Sequence, residues 1–149
     1  MSLNDLYQEI ILDHGKKPRN FGELETATHE AEGFNPLCGD QVRVRVRIEE
    51  GKIADLRFSG HGCAISTASA SMMTQLVKGK TVDQAVALVE KFREAMTSDS
   101  VGPEGMGELG CLSGVKQFPN RVKCATLAWH TLRSAVTGGG KVTTEKPDA

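Results

Sequence analysis

Val42, Val44, Val46 and Ile48 alternate with Arg43, Arg45 and Arg47. Successive side chains of an extended chain point to opposite sides, so a period of two with one apolar register describes a strand that buries one face. Glu49-Glu50-Gly51-Lys52 reads as a turn, and Ile53 to Phe58 returns with Ala54, Leu56 and Phe58 on one side. A less regular extended segment, about Thr26 to Phe34, lies upstream, so a meander of about three antiparallel strands is expected. The arginine row reads as the solvated outer face, with a binding patch as the alternative.

Helical spacing surrounds this block. Leu3, Leu6, Tyr7, Ile10 and Ile11 form a short amphipathic helix ending near Asp13-His14-Gly15. A second helix is expected from about Cys63 through Ala64–Val77, rich in Ala, Ser and Thr, with Gly79 ending it. Thr81 and Gln84 match a capping box ahead of the stripe Val82, Ala85, Val86, Val89 and Phe92. Thr97 to Gly110 is glycine-rich and aperiodic and reads as a mobile loop, followed by a short helical piece from Leu109 to Val115. Phe118-Pro119 is expected to break that piece and Cys124 to open the last helix, with Leu127, Ala128, Leu132, Ala135 and Val136 inward. Strands followed by helices imply a single α+β domain over residues 1–136, with 137–149 as a disordered tail.

Several function classes lose support on composition. A formal charge of -1 gives no general attraction for nucleic acid, and 5% aromatic residues are too few for base-stacking platforms. Apolar runs are too short to span a bilayer. Met1-Ser2-Leu3-Asn4-Asp5 lacks the basic start and apolar run of a secretory signal, so a cytoplasmic location is expected. In that reducing compartment, unpaired cysteines serve metal binding or catalysis more often than bridges.

Three of the four cysteines sit at turns or expected helix starts beside glycine or a charged residue, the kind of placement that metal-ligating and nucleophilic thiols take. Cys38 lies in Asn35-Pro36-Leu37-Cys38-Gly39-Asp40, Cys63 follows Gly60-His61-Gly62, and Cys124 follows Arg121-Val122-Lys123. Their separations, 25 and 61 residues, are too wide for a zinc-finger knuckle, so any shared site must be assembled by the fold from separate elements. A turn after a strand and two helix N-termini can converge at one end of a sheet, with Asp40 adding an oxygen. Spacing alone leaves the other reading open, in which the cysteines are unrelated and semi-buried. Cys111 reads as an incidental thiol. His14 and His29 read as surface residues, His61 as an exposed loop histidine, and His130 as pointing to a face different from that of Cys124.

These segments, with Asp13-His14-Gly15-Lys16-Lys17-Pro18-Arg19-Asn20 and the runs after Cys63 and Cys124, resemble the IscU/NifU N-terminal family of iron–sulfur cluster assembly proteins. The SufU branch is the closer likeness, covering about Leu3 to Val136. The resemblance implies a SufE/NifU-like α+β fold: a small three-stranded antiparallel sheet packed against helices, with a metal site at one end. It implies Cys38, Asp40, Cys63 and Cys124 as ligands of Zn2+ or, on the alternative, of iron or a transient 2Fe–2S cluster. IscU-type scaffolds carry a histidine directly before the last cysteine, where this chain has Lys123, and the Thr97–Gly110 segment is typical of SufU-like members. The implied activity is zinc-dependent sulfur transfer by a carrier rather than a turnover enzyme. A cysteine desulfurase (SufS-like) docks, one of its histidines replaces a cysteine on zinc, and the freed thiolate, taken as Cys38, accepts persulfide sulfur. Arg121 and Lys123 are candidates to steer the anionic persulfide, and a SufBCD-like complex would act downstream. The alternative is an IscU-type scaffold that assembles a transient cluster on the same ligands. From a third class comes a structural-zinc adaptor that recruits the desulfurase without carrying sulfur.

Overall fold

A computed structural model describes residues 3–97, 107–138 and 141–143. Helix α1 (Leu3–Lys16) precedes strands β1 (His29–Asn35), β2 (Asp40–Glu49) and β3 (Lys52–His61). Helices α2 (Ala64–Val77) and α3 (Val82–Thr97), a 3₁₀ helix (Gly107–Gln117), α4 (Pro119–Val136) and a short strand β4 (Lys141–Thr143) follow. The sheet order is β3-β2-β1-β4, with the first three strands antiparallel as expected.

The alternation places residues as it predicts. Val42, Val44 and Val46 are buried against the helices. Arg43 and Arg45 stand directly opposite Glu32 and Glu30 on β1 and pair with them across the other face, while Arg47 pairs with Glu49. Opposite charges at facing positions favour this register over a one-residue slip, which would expose the valines. Between β2 and β3, Glu50 and Gly51 have φ of 52° and 76°, the two-residue pattern whose twist suits a hairpin.

Small residues on α2 let two helices approach it. Ser66, Ala68, Ser69, Ala70, Ser71 and Thr74 are buried. The Ser69 hydroxyl donates to the Ala125 carbonyl of α4 at 2.6 Å and accepts the Trp129 indole N–H at 3.1 Å. Trp129 stacks on Phe92 of α3 at 4.7 Å, so one fully buried aromatic ties three helices together. The capping box closes as the sequence suggests: Gln84 N–H donates to Thr81 Oγ1 at 3.1 Å, and Thr81 N–H donates to the Gln84 side chain at 3.0 Å.

Four expectations change. His14 is 1% exposed, not a surface residue: the end of α1 lies on α2, and Nδ1 of His14 sits 2.7 Å from the Ser71 hydroxyl. The last helix begins at Pro119, not at Cys124, because proline lacks only an N–H that the first helical turn leaves unused. Cys124 therefore sits beyond the first turn of α4. The tail expectation fails at Lys141–Thr143, which pair in parallel with Glu32–Phe34 along the free edge of β1. The loop expectation fails at 107–110, which open the 3₁₀ helix; 98–106, like 139–140 and 144–149, lie outside the described residues.

Candidate metal centre

The β1–β2 connection, Pro36-Leu37-Cys38-Gly39, lies at one end of the sheet. Asn35 ends β1 opposite Asp40, which starts β2, so the link must reverse within four residues. Gly39 takes φ of 72°, a left-handed conformation open to glycine, and the Cys38 N–H donates to the Asn35 carbonyl at 3.2 Å. This turn leaves Cys38 exposed while the strand alternation sends Asp40 inward, where it is 2% exposed. Cys124, 1% exposed on α4, meets both: its Sγ lies 3.5 Å from that of Cys38, and the ligand atoms of Cys38, Asp40 and Cys124 all fall within 4.8 Å of one another.

Cys63 joins through its main chain. Its N–H donates to Asp40 Oδ1 at 3.0 Å, while its Sγ caps α2 by accepting the Ser66 N–H at 3.4 Å. The thiol is therefore outside the group of three, although its backbone is fixed to the same carboxylate. Gly62 makes that approach possible, since a Cβ there would meet Asp40 Oδ1 at 2.6 Å. Gly60 is constrained by backbone instead: its φ is 125°, and a Cβ would lie 2.1 Å from the Gln41 carbonyl oxygen.

Asn35 is the participant that sequence reasoning missed. Its side-chain amide donates to Asp40 Oδ2 at 3.3 Å and to Cys124 Sγ at 3.5 Å, from a position 1% exposed. A signal was available, for an asparagine on the buried register of a strand needs partners. Arg121 is exposed in the first turn of α4 and Lys123 is half-buried beside Cys124. His61 is exposed at the end of β3, and Cys111 is buried elsewhere, its Sγ 4.0 Å from Met72 Sδ.

Burial, and then hydrogen bonding with Asp40 and Cys38 and the negative charge at Cys63 and Asp40, push the Cys124 thiol far above its ordinary range. Several groups that would be anionic together are crowded around a desolvated sulfur. Without a cation the buried sulfur keeps its proton; a cation held between these donors would take the proton's place, since a coordinated thiol gives it up outright. Sulfur with one carboxylate oxygen suits zinc, a borderline-soft ion that accepts both donors. The donor chemistry fits that ion.

The family model for the NifU-like N-terminal domain matches residues 6–138. The chain belongs to that family. Relatives within the NifU-like N-terminal family carry two kinds of name. The iron–sulfur cluster assembly scaffold protein IscU of Streptococcus pyogenes serotype M1 is 42% identical over 135 residues, spanning 90% of this chain and 84% of the relative. The zinc-dependent sulfurtransferase SufU of Bacillus subtilis strain 168 is 40% identical over 139 residues, spanning 91% and 92%. Identities this close do not separate scaffold from sulfurtransferase. A solved structure of a SufU scaffold protein for the SUF system from Fervidobacterium islandicum AW-1 superposes with a TM-score of 0.81 at 34% identity, covering 91% of this chain and 99% of that one. The α+β fold expected from the sequence is therefore the fold of this family. No helix among the described residues is long and apolar enough to cross a membrane.

Proposed function

We propose that this chain is an iron–sulfur cluster assembly protein of the SufU kind, a single domain over 1–136 that carries sulfur and takes it from a cysteine desulfurase on Cys38. The observation that carries this reading is the unequal exposure of the grouped donors: Cys38 is open to solvent, whereas Asp40 and Cys124 are buried. A partner's persulfide can reach only the first of them. Cys38, Asp40, Cys63 and Cys124 would hold zinc, with the Cys63 thiol turning from its capping position about the Cα–Cβ bond. Bound zinc would supply the positive charge that keeps these sulfurs as thiolates near neutral pH.

Transfer then needs little from the protein beyond position. The Cys38 thiolate attacks the terminal sulfur of the partner's persulfide. A sulfur–sulfur bond forms at Cys38, the partner's own breaks, and the electron pair leaves on the partner's thiolate, so no oxidant or reductant is required. The turn residues Leu37 and Gly39, both exposed, let Cys38 move, while Cys124 is held in a helix. Arg121 would attract the anionic persulfide, and Lys123 would support the buried sulfur. A cytoplasmic setting and delivery to a SufBCD-like complex complete the reading.

The IscU-type scaffold is the second reading, favoured by the 42% identity to the streptococcal IscU and weakened by Lys123 standing where IscU-type scaffolds have histidine. Anaerobic purification with metal analysis separates the two: sulfur transfer predicts a colourless protein with one zinc, and a scaffold predicts a brown iron–sulfur protein. Incubation with a SufS-like desulfurase and cysteine, followed by peptide mass mapping, should place one added sulfur on Cys38. Cys38→Ser should abolish both that adduct and stimulation of the desulfurase. Full stimulation by Cys38→Ser would overturn sulfur transfer and leave the adaptor role.

A further inference from the structure

Asn35 occupies a place that the transfer reading does not use. It ends β1 on the buried register, its main-chain carbonyl closes the Cys38 turn, and its carboxamide enters the donor group. That carboxamide has two N–H donors on one nitrogen. One is 3.3 Å from Asp40 Oδ2, and the other reaches Cys124 Sγ at 3.5 Å. Cys38, by contrast, is an exposed residue whose Sγ has Cys124 Sγ as a hydrogen-bonding neighbour, and among the described bonds the Asn35 N–H groups go to Asp40 and Cys124 rather than to it.

We infer that Asn35 is a positioning residue that makes Asp40 and Cys124 the permanent ligands of the centre and leaves Cys38 as the sulfur that reacts. The inference rests on the reading of these residues as a metal site, and its chemistry is local. An N–H donated to a thiolate draws electron density from the sulfur, which stabilises the anion in a water-poor place and makes it a poorer nucleophile. The same nitrogen anchors the carboxylate, so its two anionic acceptors keep a fixed separation. Groups just outside a metal's ligands act in this manner, and losing one costs about 10–100-fold in affinity. Burial alone would slow reagents at Cys124. It would not fix the orientation of Asp40, and it would not raise the reactivity of Cys124 when a neighbouring amide is removed.

Asn35→Leu tests this directly, because it keeps the approximate shape and removes both donors. Zinc affinity is measured by competition with a chromophoric chelator. The relative alkylation rates of Cys38 and Cys124 are measured on the zinc-loaded protein by peptide mass mapping, and the metal-free melting temperature is recorded beside them. Zinc affinity should fall about 10–100-fold, and alkylation of Cys124 should rise relative to Cys38. Asn35→Ser, a shorter donor unable to serve both acceptors, should move both readouts in the same direction and remains usable should the leucine variant fold poorly. Unchanged affinity and an unchanged rate ratio in either folded variant would overturn the inference. A lowered melting temperature with both readouts unmoved would do the same and assign Asn35 a purely structural part. Wild type and Asp40→Ala, run alongside, keep the premise separate: equal zinc retention by these two would refute the metal-site reading itself.

Discussion

Replacing Gly62 by alanine puts the geometry of the centre under strain without touching a ligand. Gly62 does not adopt a left-handed φ, so alanine is permitted by the backbone and the cost arises from contact alone. A Cβ there would stand 2.6 Å from Asp40 Oδ1 and 3.1 Å from the Ser66 hydroxyl. Ordinary contact begins at 3.4 Å, so the carboxylate must retreat by about 0.8 Å. Asp40 has little room, since Asn35 holds its other oxygen and the residue is 2% exposed. The retreat breaks the 3.0 Å bond from the Cys63 N–H. A bond to a charged acceptor contributes about 1.5–3 kcal/mol. The Cys63 amide is half-buried and regains some hydration, so a loss of about 1–2 kcal/mol in metal-free stability is expected. On the proposed reading of Asp40 as a zinc ligand, zinc binding should weaken by at least about 10–100-fold, the cost of losing a group just outside the ligands. Denaturant unfolding of the metal-free protein and chelator competition measure the two effects. Gly114→Ala is the control: nothing lies within 4 Å of its Cβ, and a change within about 0.5 kcal/mol is expected. Wild-type zinc affinity in Gly62→Ala would refute the claim that Asp40 is held at the metal by this approach.

Other expectations concern the scaffold around the site. Ser69→Ala leaves the buried Trp129 indole N–H without its acceptor; unfolding should show a loss of about 1–3 kcal/mol, followed through the fluorescence of the single tryptophan. Thr81→Ala opens the capping box of α3 and should cost about 1 kcal/mol, read from the denaturation midpoint. Arg93, and then Arg133, hold the Glu90 carboxyl below its ordinary value of 4.5. A lowered folded value means that this stabilisation is complete above about pH 4.5 and lost as pH falls through the depressed value. Glu90→Gln should therefore be less stable than wild type at pH 7 by under about 1 kcal/mol, given its exposure, and the gap should shrink as pH falls below about 4.5. A gap that widens on acidification would contradict the sign.

What the sequence discloses, and what it withholds, follows from the range of each interaction. The β2 alternation, the two-residue hairpin turn, the Thr81/Gln84 box and the helix start at Cys63 are settled by neighbours within a few residues, and the structure has them where the pattern puts them. His14 reads as surface because its partner, Ser71, is 57 residues away. Asn35 has one near partner, Asp40, five residues on, but its bond to Cys124, 89 residues on, is what places it at the centre, and that part is out of local reach. Pro119 has two local meanings, stopping one helix or starting the next, and only the packing of α4 on the sheet selects the second. The direction of the Cys63 thiol is likewise illegible: a cysteine before a helix can cap it or face a neighbouring ligand, and sequence does not distinguish the rotamers.

X-ray absorption at the zinc edge of the freshly purified protein tests the central claim most directly. Three sulfurs at about 2.3 Å and one oxygen at about 2.0–2.2 Å are predicted, with one sulfur lost in Cys38→Ser and the oxygen lost in Asp40→Ala. A shell of nitrogen and oxygen alone, or a shell indifferent to both substitutions, would contradict it.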